Sequence, residues 1–223
     1  MRKVAVVLFG SPGSGKGMQA DLLADRLGLI HFDSGKLLRA ILSDESVRTD
    51  PILKRERKLN DAGILNTPSW VLRIFKERVR LIAKMGYGVA FSGSPRTLYE
   101  AEGFIPFLEK LYGRKNVYVF ALKVPLATAA RRNRLRLVCA TCRRPLLLAF
   151  YPTKNPRRCP VCAGVLIRRT DDDPAKFKTR AAEYETRTKP VVEYVRRRGY
   201  RITVVNGAPA PYKIFEKISK VIH

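Results

Sequence analysis

The chain has 223 residues, 46% of them hydrophobic, which is enough for one sizeable core with small inserted subdomains. Lysine and arginine total 44 and aspartate and glutamate 19, which gives a formal charge of +25 that attracts polyanions. No uncharged apolar segment approaches the roughly 20 residues that span a bilayer, and the N-terminal apolar run has no cleavage site of small residues. These features exclude a membrane-spanning protein and predict a cytoplasmic one without a membrane partner.

The predicted elements alternate between strands and helices from the N-terminus onward. Continuous apolar runs predict strands at residues 3–9, 88–91, 117–124 and 201–205. Helical periodicity marks residues 69–85 and 97–111, and Asp173-Pro174 predicts the start of a further helix that runs toward Arg198. This alternation predicts an α/β fold, with a parallel sheet that helices cover on both faces.

A glycine-rich segment follows the first predicted strand and precedes a predicted helix. It has the G-x-x-x-x-G-K spacing, from Gly10 to Lys16. Glycines let successive backbone N–H groups turn around phosphate oxygens, the helix N-terminus adds positive potential, and the lysine reaches the β- and γ-phosphates. The segment therefore predicts a nucleotide-phosphate site. Gly17 and Met18 follow the lysine, where such loops usually carry a serine or threonine that helps to hold Mg²⁺.

All four cysteines lie in one stretch that is rich in proline and arginine and lacks helical periodicity. Cys139, Cys142, Cys159 and Cys162 form the pattern C-x2-C-x16-C-x2-C. Four thiolates at this spacing can surround one Zn²⁺ tetrahedrally and join two hairpins that are too small to have their own core. Two disulfides are the alternative, which a cytoplasmic protein disfavours. The pattern predicts one structural zinc, because four cysteines leave no open position for catalysis.

Four motifs, in order along essentially the whole chain, resemble those of adenylate kinases. Residues 10–19 resemble G-x-P-G-x-G-K-G-T-Q, and residues 33–39 resemble S-T-G-D-L-L-R of the monophosphate site. Residues 61–65 resemble D-A-G-K-L, and residues 92–97 resemble D-G-F-P-R-T. The resemblance implies a P-loop NTPase-type parallel sheet flanked by helices, with a helical insertion that binds a nucleoside monophosphate (NMP) and a small zinc-binding lid. The implied core is 1–33, 68–133 and 172–223, the NMP-binding domain 34–67 and the lid 134–171.

The same resemblance implies ATP plus AMP as substrates, converted reversibly to two ADP, and assigns residues to each. On the ATP side these are Gly10, Gly13, Ser14, Gly15, Lys16, Gly17, Met18, Arg132 and Arg136. On the AMP side they are Ser34, Arg39, Leu65, Arg96 and Glu100. The implied catalytic groups are Lys16, Arg96, Arg136, Arg169 and Arg180. Guanidinium groups suit these positions because their planar fork grips phosphate oxygens bidentately.

Three positions depart from the family pattern on the side where Mg²⁺ is held. Lys36 stands where the family has the aspartate of S-T-G-D, Ser92 where it has the aspartate of D-G-F-P-R, and Met18 where it has threonine. Asp33 is a poor substitute, because neighbouring positions on a strand point to opposite sides. Either Lys36 supplies fixed positive charge in place of a hydrated metal, or the protein binds nucleotides without efficient turnover. These residues are therefore consistent with either an impaired kinase or a pseudo-enzyme that only binds nucleotides.

Two further features leave alternatives open. Glu100 stands where the family usually has a glutamine, and a carboxylate only accepts hydrogen bonds, which makes guanine the second choice of acceptor base after adenine. It could instead be a solvated helix residue. The charge of +25 exceeds what one phosphate pocket requires, so an electrostatic contact with nucleic acid is a further expectation for a protein expected to be a monomer.

Overall fold

The computed structural model describes residues 3–45, 49–151, 156–168 and 172–222. Its main sheet has five parallel strands in the order β2-β3-β1-β4-β8. These strands are β1 (Ala5–Gly10), β2 (Ile30–Asp33), β3 (Val89–Ser92), β4 (Val117–Lys123) and β8 (Ile202–Asn206). The predicted α/β class with a parallel sheet is confirmed.

The central strand β1 explains why both faces of the sheet are covered. All six of its residues are buried, and they alternate between two hydrophobic clusters. Ala5, Val7 and Phe9 pack with the aromatic side of the core, whereas Val6 and Leu8 pack with residues of the first and last helices. A strand buried on both faces requires a continuous apolar run, which is what this sequence carries.

Helices flank the sheet in chain order. They are α1 (Lys16–Leu27), α2 (Ser34–Leu42), α3 (Pro51–Asp61), α4 (Pro68–Lys84), α5 (Leu98–Tyr112), α6 (Leu126–Arg134), α7 (Pro174–Glu183), α8 (Lys189–Arg197) and α9 (Pro211–Ser219). Asp173 caps α7 by accepting from Ala175 N and Lys176 N, as an acidic residue before proline predicts. A π-helical turn, Tyr184–Thr188, joins α7 to α8, so the predicted helix does run toward Arg198. None of the helices in these described ranges is long and apolar enough to cross a membrane.

A second, antiparallel sheet of three strands lies between α6 and α7. It consists of β5 (Arg136–Cys139), β6 (Pro145–Leu147) and β7 (Leu166–Ile167), in the order β6-β5-β7. The stretch without helical periodicity is therefore two short hairpins, as its cysteine pattern predicts.

The register of the main sheet brings three candidate site residues to one edge. Ser92 at the end of β3 pairs with Leu8 of β1 and with Asp33 at the end of β2. Gly10 ends β1 beside them. Because parallel strands present their carboxyl ends at the same edge, the phosphate loop, Asp33 and Ser92 are neighbours.

Candidate active site and metal centre

The phosphate loop folds around the ammonium group of Lys16. Lys16 Nζ donates to Gly10 O at 2.6 Å and to Ser11 O at 2.9 Å, and lies 3.4 Å from Ser14 Oγ. Gly13 has φ +79°, and a Cβ there would lie 2.5 Å from Ala129 O, so only glycine fits. The loop leads directly into α1, whose N-cap is Gly15. This geometry aims backbone N–H groups and a cation at one point, as an anion site requires.

Arginines from separate parts of the chain converge on Lys16. Desolvation, followed by the positive charges of Arg96, Arg180 and Arg136, lowers the pKa of Lys16 to about 7, and Asp33 acts in the opposite direction. Three like charges held around a buried ammonium are unfavourable unless an anion joins them. The structure thus brings together four of the five predicted catalytic groups; the fifth, Arg169, lies outside the described residues.

Ser34, Gly93 and Arg96 form a tight group beside the sheet edge. Ser34 Oγ donates to Gly93 O at 2.7 Å, and Arg96 Nε donates to the same carbonyl at 2.6 Å. A Cβ on Gly93, at φ +103°, would lie 2.7 Å from Arg96 Nη2 and 2.9 Å from Ser34 Oγ. Within α2, one turn apart on the same face, a Cβ on Gly35 would lie 3.2 Å from Arg39 Nη1. The two arginines predicted to hold the acceptor phosphate are therefore packed around glycines.

The turn that carries Leu65 is held against α7. Leu65 N donates to Glu183 Oε2 at 3.2 Å, and a Cβ on Gly63 would lie 3.5 Å from Arg180 Cγ. Arg180 therefore passes the predicted monophosphate-binding segment on its way to the phosphate loop. The predicted monophosphate-binding segment and the side chain of Arg180, a predicted catalytic residue, are therefore in contact.

Sequence reasoning missed a buried carboxylate that organises this turn. Glu56 of α3 is fully buried and accepts from Thr67 N at 2.9 Å, Thr67 Oγ1, Asn66 Nδ2 at 3.1 Å and Arg55 Nη2 at 3.0 Å. Desolvation acts to raise its pKa, but the hydrogen bonds from Thr67, Asn66 and Arg55 together lower it below the usual value. No local pattern reveals Glu56, because Asn66 and Thr67 lie 10 and 11 residues further along the chain, beyond the end of α3.

Glu100 is buried rather than solvated, so the solvated alternative is wrong. Its Oε2 accepts from Arg96 N at 2.9 Å and its Oε1 from Thr97 Oγ1 at 3.1 Å, while Thr97 Oγ1 accepts from Glu100 N at 3.2 Å. Thr97 caps α5, and Glu100 reaches back to the backbone N of Arg96, one residue before the N-cap, in a variant of the capping box that the T-x-x-E pattern of residues 97–100 could have revealed. Desolvation raises the pKa of Glu100. The carboxylate that was expected to bind the acceptor base thus already accepts bonds from its own helix start.

The positions that depart from the family pattern are occupied by other contacts. Lys36 is exposed, and its backbone N donates to Asp33 Oδ1 at 2.9 Å, so Asp33 serves as the N-cap of α2. Ser92 is buried, and its Oγ lies 2.7 Å from His31 Nε2. His31 Nδ1 lies 2.6 Å from Asp21 Oδ1. Ser92 therefore belongs to a chain of hydrogen bonds that ends in a carboxylate.

Arg132 and Arg136 are held differently. The Arg132 guanidinium donates to Gly207 O and Ala208 O, both at 2.6 Å, and its carbon lies 5.3 Å from the ring centroid of Phe150. Arg136 Nε donates to Asp172 Oδ2 at 2.9 Å, and its Nη2 donates to the other oxygen. Arg132 is thus buried with its guanidinium over the ring of Phe150, whereas Arg136 forms a bidentate ion pair and also acts electrostatically on Lys16.

The four cysteines form one cluster with the geometry that zinc requires. Their sulfur atoms all lie within 4.8 Å of one another, with 3.4 Å between Cys139 and Cys162 and 3.7 Å between Cys142 and Cys159. Tetrahedral Zn–S bonds of about 2.3 Å place sulfurs roughly 3.8 Å apart, whereas a disulfide needs about 2.05 Å. All four are free thiols. The residues present therefore fit a closed, structural zinc site.

Comparison with known proteins agrees with this geometry. The family model for adenylate kinase matches residues 8–200. Adenylate kinase of Methanothrix thermoacetophila is 35% identical over 218 residues, covering 97% of each chain. Adenylate kinase of Elusimicrobium minutum is 32% identical over 98% of each chain, and that of Caldicellulosiruptor saccharolyticus is 31% identical over 90% of each.

The match extends over the phosphate loop, the converging arginines and the cysteine cluster, and it covers nearly the full length of these relatives. Adenylate kinases use Mg²⁺ with ATP and transfer a phosphoryl group between ATP and AMP. The chain belongs to the adenylate kinase family and is a nucleoside monophosphate kinase.

Proposed function

We propose that this protein transfers the γ-phosphoryl group of ATP to the α-phosphate of AMP at the point where Lys16, Arg96, Arg136 and Arg180 converge. The observation that carries the proposal is the glycine-rich loop folded around Lys16 Nζ, on which the charges of Arg96, Arg180 and Arg136 act. A cluster of like charges is stable only when polyanionic phosphates join it. Phosphoryl transfer depends mostly on such positioning and charge neutralisation.

Each group has a distinct task in this proposal. Lys16 and the loop N–H groups hold the β- and γ-phosphates of ATP, and Arg132 stacks on its base. Arg96 and Arg39 hold the α-phosphate of AMP in line with the γ-phosphorus. Arg136 and Arg180 neutralise the charge that spreads over the transferring group. Because Ser34 and the turn at Leu65 resemble the adenylate kinase pattern, adenine is the preferred acceptor base and guanine the second choice.

The metal groups have separate roles. Mg²⁺ bound with ATP would neutralise phosphate charge, but positions 18, 36 and 92 would offer it no carboxylate, and Asp33 already caps α2. We therefore expect slower turnover than a site with those carboxylates would give. Zn²⁺ is structural, one per chain, held by Cys139, Cys142, Cys159 and Cys162.

The organisation follows from these roles. Residues 1–33, 68–133 and 172–223 form the core, residues 34–67 the NMP-binding domain, and residues 134–171 the lid. The protein acts as a monomer in the cytoplasm, where thiols stay reduced and available to zinc.

A coupled assay of ATP plus AMP, with and without Mg²⁺, tests the proposal. We expect ADP formation with Mg²⁺ and a loss of about 100-fold or more in Lys16→Met, since one charge-stabilising group is typically worth that much. Nucleotide binding without transfer at any Mg²⁺ concentration would identify a pseudo-enzyme instead. Activity that persists in EDTA would mean that Lys36 replaces the metal's charge.

A further inference from the structure

We propose that the outer face of the zinc module, residues 136–168 apart from 152–155, binds single-stranded RNA through Arg143, Arg144, Arg157 and Arg158. These four residues are called the module arginines below. The proposal concerns a second binding site, separate from the site of phosphoryl transfer.

The charge of +25 is distributed very unevenly along the chain. No aspartate or glutamate occurs between Glu109 and Asp171, and this acid-free stretch contains the whole zinc module. Elsewhere the basic side chains are interleaved with carboxylates, as in the pairs Lys189–Glu185 and Arg196–Glu193 of the C-terminal helices. Asp172 pairs with Arg136 at the start of the module, but the positive potential of the rest of this stretch is not offset by carboxylates within it.

The cysteine cluster brings the module arginines into one small unit. Arg143 and Arg144 lie in the turn closed by Cys139 N donating to Arg144 O at 3.1 Å. Arg157 and Arg158 enter the opposite turn, which Cys159 N closes by donating to Gly164 O at 2.9 Å. Since the cysteine sulfurs of both turns lie within 4.8 Å of one another, the two arginine pairs flank the same metal site.

The module arginines are not committed to contacts within the protein. All four are exposed, and among the residues that the structure describes none forms an ion pair with a carboxylate. Arg158 Nη1 donates a hydrogen bond to Ala163 O at 3.2 Å, within the same turn. The arginine charges that act on Lys16 are those of Arg96, Arg180 and Arg136, not those of the module arginines.

The negative charge of the zinc site is too small to balance the positive charge of the module arginines. A zinc ion with four thiolates has a formal charge of −2, which two arginines offset. Four module arginines, with Arg168 also exposed at the end of β7, leave a net positive face. A phosphate polymer is the ligand whose repeated charges match closely spaced guanidinium groups.

Exposed apolar side chains beside the arginines favour single strands over duplexes. Val161 is 60% exposed, Val165 55% and Phe150 44%. Unstacked bases bind such apolar and aromatic side chains and stack on guanidinium planes, and paired zinc knuckles are a recurrent unit for this purpose. We therefore infer RNA with accessible bases as the ligand, bound mainly through its phosphates.

The test measures binding of the zinc-loaded full chain to a fluorescein-labelled single-stranded RNA of mixed sequence, about 20 nucleotides long, over a salt titration. The test variant changes Arg143, Arg144, Arg157 and Arg158 to Gln. The matched control removes the same charge from exposed side chains of the core: Arg26, Arg73, Arg201 and Lys84 to Gln. Zinc content and ADP formation are measured in both variants to show that each is folded.

We expect the module variant to bind RNA at least about tenfold more weakly near 100 mM salt, with a log–log salt slope smaller by about 2 to 3, since each lost phosphate contact on a single strand removes about 0.7. The control should lose much less, and a duplex of the same length should bind the native chain more weakly than the single strand. Equal losses in the two variants would mean unspecific attraction by total charge. Absence of RNA binding by the native chain, even near 50 mM salt, would overturn the proposal.

Discussion

His31 Nε2 lies 2.7 Å from Ser92 Oγ, at the carboxyl end of β3 beside the phosphate loop. The other ring nitrogen of His31 lies 2.6 Å from Asp21 Oδ1, so the imidazole connects the hydroxyl with a half-exposed carboxylate. Ser92 occupies the position of a family aspartate, and the imidazole fixes the orientation of the hydroxyl that replaces it. In the neutral ring Nδ1–H donates to that carboxylate and Nε2 accepts from Ser92 Oγ, so an aspartate introduced at position 92 would lose this hydrogen bond.

The first prediction restores the two missing carboxylates. Lys36→Asp with Ser92→Asp should raise the rate of Mg²⁺-dependent ADP formation, because both groups would hold the waters of the same hydrated ion. Each change alone should do less, with a coupling free energy of about 1 kcal/mol or more between the two. Rates of the single and double variants over a Mg²⁺ titration measure this coupling. Unchanged metal dependence in the double variant would show that these positions do not limit catalysis.

The second prediction concerns the proton on Lys16. Its pKa of about 7 in the free protein leaves it mostly neutral at pH 8, whereas bound phosphates restore the charged form. ATP binding should therefore take up about one proton at pH 8. The affinity for ATP should fall by up to about tenfold for each pH unit above pH 7. Calorimetry in buffers of different ionisation enthalpy counts the protons. Lys16→Arg, which stays charged, should show neither effect; proton uptake that survives in that variant would contradict this origin.

The third prediction concerns the cysteine cluster. We expect one zinc per chain by elemental analysis, and chelation should disorder the two hairpins because the metal replaces a core there. A loss of about 2 kcal/mol or more would lower Tm by roughly 4–8 °C in a chain of this size, with little change in the main sheet. Cys142→Ser should behave like the chelated protein. Metal-free native protein, or two disulfides in protein prepared with reductant, would refute the closed site.

The fourth prediction concerns Glu56. Glu56→Ala leaves Thr67 N without its buried acceptor and Asn66 Nδ2 with only the backbone carbonyl of residue 56, which should cost about 1–3 kcal/mol of stability and raise KM for AMP more than KM for ATP. Glu56→Gln, which keeps one acceptor oxygen, should have a stability and a KM for AMP between those of the native protein and of Glu56→Ala. Its pKa is lowered in the folded protein, so its contribution is present above the unfolded value of 4.5 and is lost as pH falls below it. Equal effects on both KM values would show that Glu56 does not position the turn that carries Leu65.

The fifth prediction concerns the acceptor base. Both oxygens of Glu100 accept bonds from Arg96 N and Thr97 Oγ1, so Glu100→Gln should change the ratio of kcat/KM for AMP and GMP by less than about fivefold. If the carboxylate contacted the base directly, Glu100→Gln would change this ratio much more, because it would remove or add a hydrogen bond to the edge of the base. Thr97→Ala, which removes one of these bonds, is the matched control, and a shift in that variant alone would point to the capping box.

The sequence predicted the phosphate loop and the cysteine cluster well because both depend on neighbours along the chain. The glycines around Lys16 and the paired cysteines act within one turn each, so spacing alone describes their geometry. Strand β2 was not predicted, because its four residues include His31 and Asp33 and lack a continuous apolar run. The capping box of Thr97 and Glu100 was readable from local spacing, yet the family position of Glu100 suggested a ligand contact instead.

By itself, the sequence determined the alternation of strands and helices in the core, the anion-binding loop, the grouping of the four cysteines and the resemblance to adenylate kinases. Only the tertiary structure decided that Arg96, Arg136 and Arg180 act together on Lys16, that His31 binds Ser92, and that Glu56 holds the turn before α4. The physical reason is distance along the chain. His31 and Ser92 are 61 residues apart, and they meet because β2 and β3 pair in a parallel register that no local pattern encodes.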